Sequence, residues 1–159
     1  MADGVILLLI LVPAFLTYFL RSNGAIVFLS VCAGFTSASL AGNEVASTLS
    51  SANLNLRSTD VDLLFMFLPM AFSVFLTARS VSGKAKTTLH AIAAGVAGAL
   101  FVVAGAPFLN ISLHLGLDGT HIWSPLRSAE SYLAAGGSLY SLVLIWFFSK
   151  NRHASKNKH

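Results

Sequence analysis

Apolar residues in this chain fall into five long runs free of charge, separated by short polar stretches. The runs cover residues 5–20, 24–42, 63–78, 91–113 and 131–149. A membrane-spanning helix needs roughly 20 apolar residues, with about 17 as a lower limit. The first and third runs are short, and suit a thin bilayer if Asp3, Arg21, Asp62 and Arg79 snorkel toward the headgroups. The pattern predicts an all-α, polytopic integral membrane protein with about five transmembrane helices and no sizeable soluble domain. One transmembrane domain would occupy residues 1–149, followed by a basic cytoplasmic tail at 150–159. Joining the first two runs into one span would bury Arg21 near mid-membrane, at a cost of at least ~2.5 kcal/mol. The following Ser22-Asn23-Gly24 reads as a turn instead.

Composition supports lipid as the main solvent. Of the 159 residues, 55% are hydrophobic and 10% charged, and the mean hydropathy is +0.76. Soluble domains carry about 25% charged residues. A cleaved signal peptide would begin with a basic segment. This chain opens Met1-Ala2-Asp3-Gly4, so the first run is read as a retained span.

The distribution of charge gives the orientation. Putting the C-terminal tail inside places Arg21, Arg79, Lys84, Lys86, Lys150, Arg152, Lys156 and Lys158 on the inner side, against only Arg57 and Arg127 outside. This is the bias of the positive-inside rule, and it predicts N-out, C-in. All six acids, Asp3, Glu44, Asp60, Asp62, Asp118 and Glu130, then fall outside. A plasma or inner membrane fits this arrangement, with anionic lipid attracted to the basic tail at about 1 kcal/mol per Lys or Arg.

Small residues mark the packing faces. Ala91, Gly95 and Ala99 recur at a spacing of four, as do Ala94 and Gly98, and Gly136-Gly137 opens the fifth run. Lipid provides no hydrophobic drive between helices, so close backbone approach supplies the contact. Gly95, Gly98, Ala99, Gly136 and Gly137 are therefore the expected helix-packing positions. Spans two, four and five are expected at the centre, with the bulkier spans one and three outside. Pro107 is expected to kink or end the fourth helix. The polar stretch 43–62 reads as a partly structured loop with a faint strand alternation at Asn53-Leu54-Asn55-Leu56.

Candidate chemistry is sparse. His114, Asp118 and His121 carry metal-binding side chains, and one helix would align them, although Gly116 and Gly119 oppose a helix. Ordinary solvated loop residues are the competing reading, and no cofactor is predicted beyond a divalent metal here. Ser30, Ser37 and Ser141 could line a narrow polar path, while hydroxyls in such helices usually bond to nearby carbonyls. Asp60 and Asp62 read as acids at a helix start. Asn110-Ile111-Ser112 fits a glycosylation acceptor, and Trp123 suits a membrane interface. Cys32 alone can form no intrachain disulfide. No catalytic motif is present, and no ionisable residue lies in the middle of a run, which disfavours pumps and proton-coupled carriers. These features point to a non-enzymatic accessory or scaffold subunit that packs against itself or another membrane protein. A small oligomeric pore or transporter for a neutral solute, or a metal-binding membrane protein, is the alternative. No specific nucleic-acid partner is expected.

Overall fold

A computed structural model describes residues 2–52, 58–113 and 121–156, with side-chain surroundings for 3–52, 58–107 and 121–148. The secondary structure of the described residues is all helix, joined by turns and short connections. Helix α1 spans Ala2–Leu20, α2 Gly24–Ser51, α3 Ser58–Leu76, α4 Lys84–Leu113, α5 Trp123–Ser128 and α6 Glu130–Lys156. All but α5 are long and apolar enough to cross a membrane. Bulky apolar side chains stand exposed around the outside, among them Phe15 and Phe19 on α1, Phe72 and Phe75 on α3, and Trp146 and Phe147 on α6.

The helices outrun the apolar runs that announce them. Residues 43–51, expected in a loop, continue α2. The reason is local: Ser47 and Thr48 donate to the Glu44 carbonyl, Ser50 to Ser47 O and Ser51 to Thr48 O. Each hydroxyl finds its acceptor inside the helix, so polarity does not end it. The strand-like alternation at 53–56 lies outside the described residues. Helix α4 starts seven residues before its apolar run and passes through Pro107 without stopping, and α6 carries the helix into the basic tail.

Helix α4 forms the centre. Of its apolar window 67% is buried, against 17% for α6. The expected central place of the fifth span is therefore corrected: α6 lies at the periphery. The cause is its composition, since beyond Gly136-Gly137 it presents Leu139, Leu142, Val143, Trp146 and Phe147 outward. The main core joins Val27, Phe28 and Val31 of α2 with Met66, Met70 and Val74 of α3 and Ala94, Ala97, Leu100 and Phe101 of α4. A second cluster joins Ile6 of α1 to Val102, Val103 and Ala106 of α4. Trp123 completes that cluster from α5, where it is buried.

Backbones touch at glycines. A Cβ on Gly98 would stand 2.8 Å from the carbonyl oxygen of Ile10 in α1, and one on Gly34 would meet Phe65 O at 2.5 Å and Met66 Cα at 3.0 Å in α3. Gly24 lies directly against the His90 carbonyl of α4. Three helix pairs are thus in main-chain contact that no larger residue would permit.

Gly98→Val should force α1 off α4, lowering stability by about 1–3 kcal/mol or preventing folding. Gly95→Ala adds a carbon that meets only Ala14 Cβ, at 3.7 Å, and should stay within ~0.5 kcal/mol of the parent. Reversible denaturation in mixed micelles measures both.

Candidate functional site

The ends of the bundle differ in charge because successive long helices run in opposite directions. Arg21, Arg79, Lys84 and Lys86 lie at the end where α1 and α3 finish and α2 and α4 begin. Asp3, Asp60, Asp62 and Glu130 lie at the starts of α1, α3 and α6, toward the other end.

At the basic end, two connections are clamped together by main-chain hydrogen bonds. Arg79 N donates to Leu20 O at 2.7 Å and Val81 N to Arg21 O at 3.0 Å. Asn23 N donates to Thr77 Oγ1 at 3.0 Å. Arg21 and Arg79 both take the left-handed conformation, with φ of 51° and 62°, which turns the chain sharply out of α1 and α3. Asn23 then caps α2: its Oδ1 accepts from Ala25 N at 3.2 Å and Ile26 N at 3.4 Å, using donors the first turn leaves free.

A pocket of about 180 Å³ opens beside this clamp, lined by Asn23, Ser80, Val81, Ser82, Lys86, His90 and Phe148. Lys86 and His90 are four residues apart and share a face of α4. Both meet Phe148 of α6. The Lys86 Nζ stands 5.1 Å from the Phe148 ring centroid, a cation–π separation, and the His90 ring lies 5.3 Å away. His90 is 3% exposed, and its Nδ1 has no hydrogen-bond partner. Thr17 Oγ1 and Ser22 Oγ, at the same end, are also buried without partners. Buried polar atoms are paired in the great majority of cases; Asp3 Oδ1, Thr59 Oγ1, Trp123 Nε1 and Ser141 Oγ are the other described exceptions. On the other side of the first turn of α4, a recess of about 460 Å³ is lined by Tyr18, Phe19, Arg21, Gly83, Lys84 and Thr87.

His90 escapes the sequence reading because it sits one residue before an apolar run, where it passes for part of a connection. The spacing Lys86-x-x-x-His90 after Gly83 is the signal that could have found it.

A second feature is apolar. Ile92 and Val96 of α4 face Tyr132, Leu133, Gly136, Gly137 and Tyr140 of α6 across a groove of about 350 Å³. The Tyr140 hydroxyl donates to Leu89 O at 3.1 Å and ties the two helices at its edge. Gly137 is closed over by the Phe28 ring and Val96. Gly136 has nothing within 4 Å of the place where a side chain would begin.

The expected packing residues therefore divide. Gly98, Gly137 and the buried Ala99 serve contacts inside the chain, Gly95 makes an ordinary one, and Gly136 is open. Of the serines, Ser30 Oγ donates to Ile26 O at 2.8 Å, Ser37 is on the exposed face of α2, and Ser141 is enclosed with its hydroxyl unpartnered. His121 is exposed, while His114 and Asp118 lie outside the described residues. Among the described residues no group of three His, Cys, Asp or Glu side chains is placed to hold a metal ion. The acid pair at the start of α3 splits. Asp60 stays in the first turn, whereas Asp62 is 8% exposed and its carboxylate lies against Gly42 of α2. Side chains of the glycosylation-like Asn110-Ile111-Ser112 fall outside the described ones.

Compared with known proteins, the chain matches no family model, no curated protein and no solved structure.

Asn23→Ala removes the α2 cap and should cost about 1 kcal/mol, read as a lower midpoint in the same micellar denaturation. Asn23→Asp or Asn23→Ser keeps an acceptor there and should recover most of it.

Proposed function

We propose that this chain is a multi-pass membrane protein, N-out and C-in, that works without catalysis as an accessory or scaffold subunit of a membrane complex. The observation that carries the reading is the groove between α4 and α6 with Gly136 open on its floor. Most small-residue faces of the chain are already filled by its own helices. This one is apolar, flanked by the rings of Tyr132 and Tyr140, and shaped for a helix that brings its backbone close. A second copy of the chain or another membrane protein supplies that helix. The apolar girdle around the bundle supports a place in lipid, and the excess of Lys and Arg at one end supports the orientation in a plasma or inner membrane.

Gly136→Leu fills the groove from within. Crosslinking in native membranes should show the parent chain joined to a partner and the Gly136→Leu chain largely monomeric at equal abundance. A parent chain found only as a monomer overturns the reading.

Topology is checked separately in a Cys32→Ser background. An impermeant thiol reagent applied to sealed cells should label Asp118→Cys and leave Lys156→Cys unlabelled until the membrane is opened.

A further inference from the structure

We propose that the polar pocket at the basic end is a binding site for a phosphate group, with Lys86 and His90 as its principal donors. The site shares no lining residue with the groove around Gly136, although both lie along the seam between α4 and α6.

Several observations meet here. The pocket volume, about 180 Å³, far exceeds the ~10–15 Å³ that one water requires, and leaves room for a tetrahedral oxyanion. Its lining carries donors of the kinds phosphate takes: an ammonium on Lys86, the hydroxyls of Ser80 and Ser82, and the amide of Asn23, whose oxygen is committed to the α2 cap. His90 lines the cavity, and its Nδ1 is buried with no hydrogen-bond partner in the protein. Leaving a buried polar atom unmet is unfavourable, and a small turn of the ring that lets Nδ1–H donate to a phosphate oxygen would relieve it. Helix α4 begins at Lys84, beside the pocket, so its first-turn amides and positive dipole end add to the attraction for an anion.

The surrounding charge has one sign. Arg21, Arg79 and Lys84 lie at the same end of the bundle as the site, while the described acids belong to the opposite ends of their helices or to the far part of α2. Phe148 holds Lys86 and His90 in register by contacting both. The lining has no acidic side chain to repel the ligand and no acidic pair to favour a metal cation. A phosphate on a lipid headgroup and a phosphate on a soluble compound present the same chemistry to these donors.

The test uses the full chain in phosphatidylcholine nanodiscs. One arm titrates inorganic phosphate against chloride at constant ionic strength and follows binding by calorimetry. The other replaces part of the phosphatidylcholine with phosphatidic acid and counts retained lipid by native mass spectrometry. Binding in the first arm alone assigns a soluble phosphate compound. Retention in the second alone assigns a lipid headgroup, and a response in both assigns the phosphate group itself. Each supports the site, provided that Lys86→Gln weakens binding by roughly tenfold or more and His90→Phe, which keeps a ring against Phe148, does likewise. If His90→Phe does not fold, Ser82→Ala takes its place. Lys84→Gln removes the same charge without touching the pocket lining, and should weaken binding much less. Silence in both arms overturns the proposal, as does equal weakening by Lys84→Gln and Lys86→Gln.

Discussion

The fold depends on main-chain contact between helices at glycine. For helices in lipid, burying apolar side chains gains little, because the surroundings are as apolar as the interior. What separates one arrangement from another is how closely the backbones approach and how many dispersion contacts follow. Gly98 brings α1 onto α4, Gly34 brings α2 onto α3, and Gly24 brings the start of α2 onto the carbonyl of His90. From those contacts the rest follows. Helix α4 becomes the axis, α2 and α3 share its main core, and the polar pocket forms where α2 is pressed against the first turns of α4.

The long helices were legible because a charge-free apolar run permits few other structures. Even the tight turn at Arg21-Ser22-Asn23 could be read, since an arginine followed by Ser-Asn-Gly neither crosses lipid well nor continues a helix. The limits of the helices were less legible. Polarity reads as an end signal at Asn43, yet serines and threonines bonding to their own helix satisfy themselves, so α2 runs on to Ser51. The lysines before Ala91 read as a connection for the same reason, which hides His90.

Which glycines face which neighbour was not readable from spacing. The spacing offers two registers on α4, Ala91-Gly95-Ala99 and Ala94-Gly98, and the main-chain contact with α1 uses Gly98 of the second. A four-residue repeat shows that some face is flat; it does not show whether the chain itself covers that face. Gly136 and Gly137 make the point, adjacent in sequence and opposite in circumstance. One is sealed by Phe28 and the other stands open, because neighbours on a helix point about 100° apart.

The clamp between the two connections bears on the order in which the molecule is assembled. The carbonyls of Leu20 and Arg21, at the exit of α1, receive their donors from Arg79 and Val81. Those donors are synthesised only after α2 and α3 have been made. A ribosome that has delivered the first helical hairpin has therefore delivered an unlatched one, whose turn waits for the second hairpin to arrive alongside. Closure of this end is a late, long-range event in the life of the nascent chain.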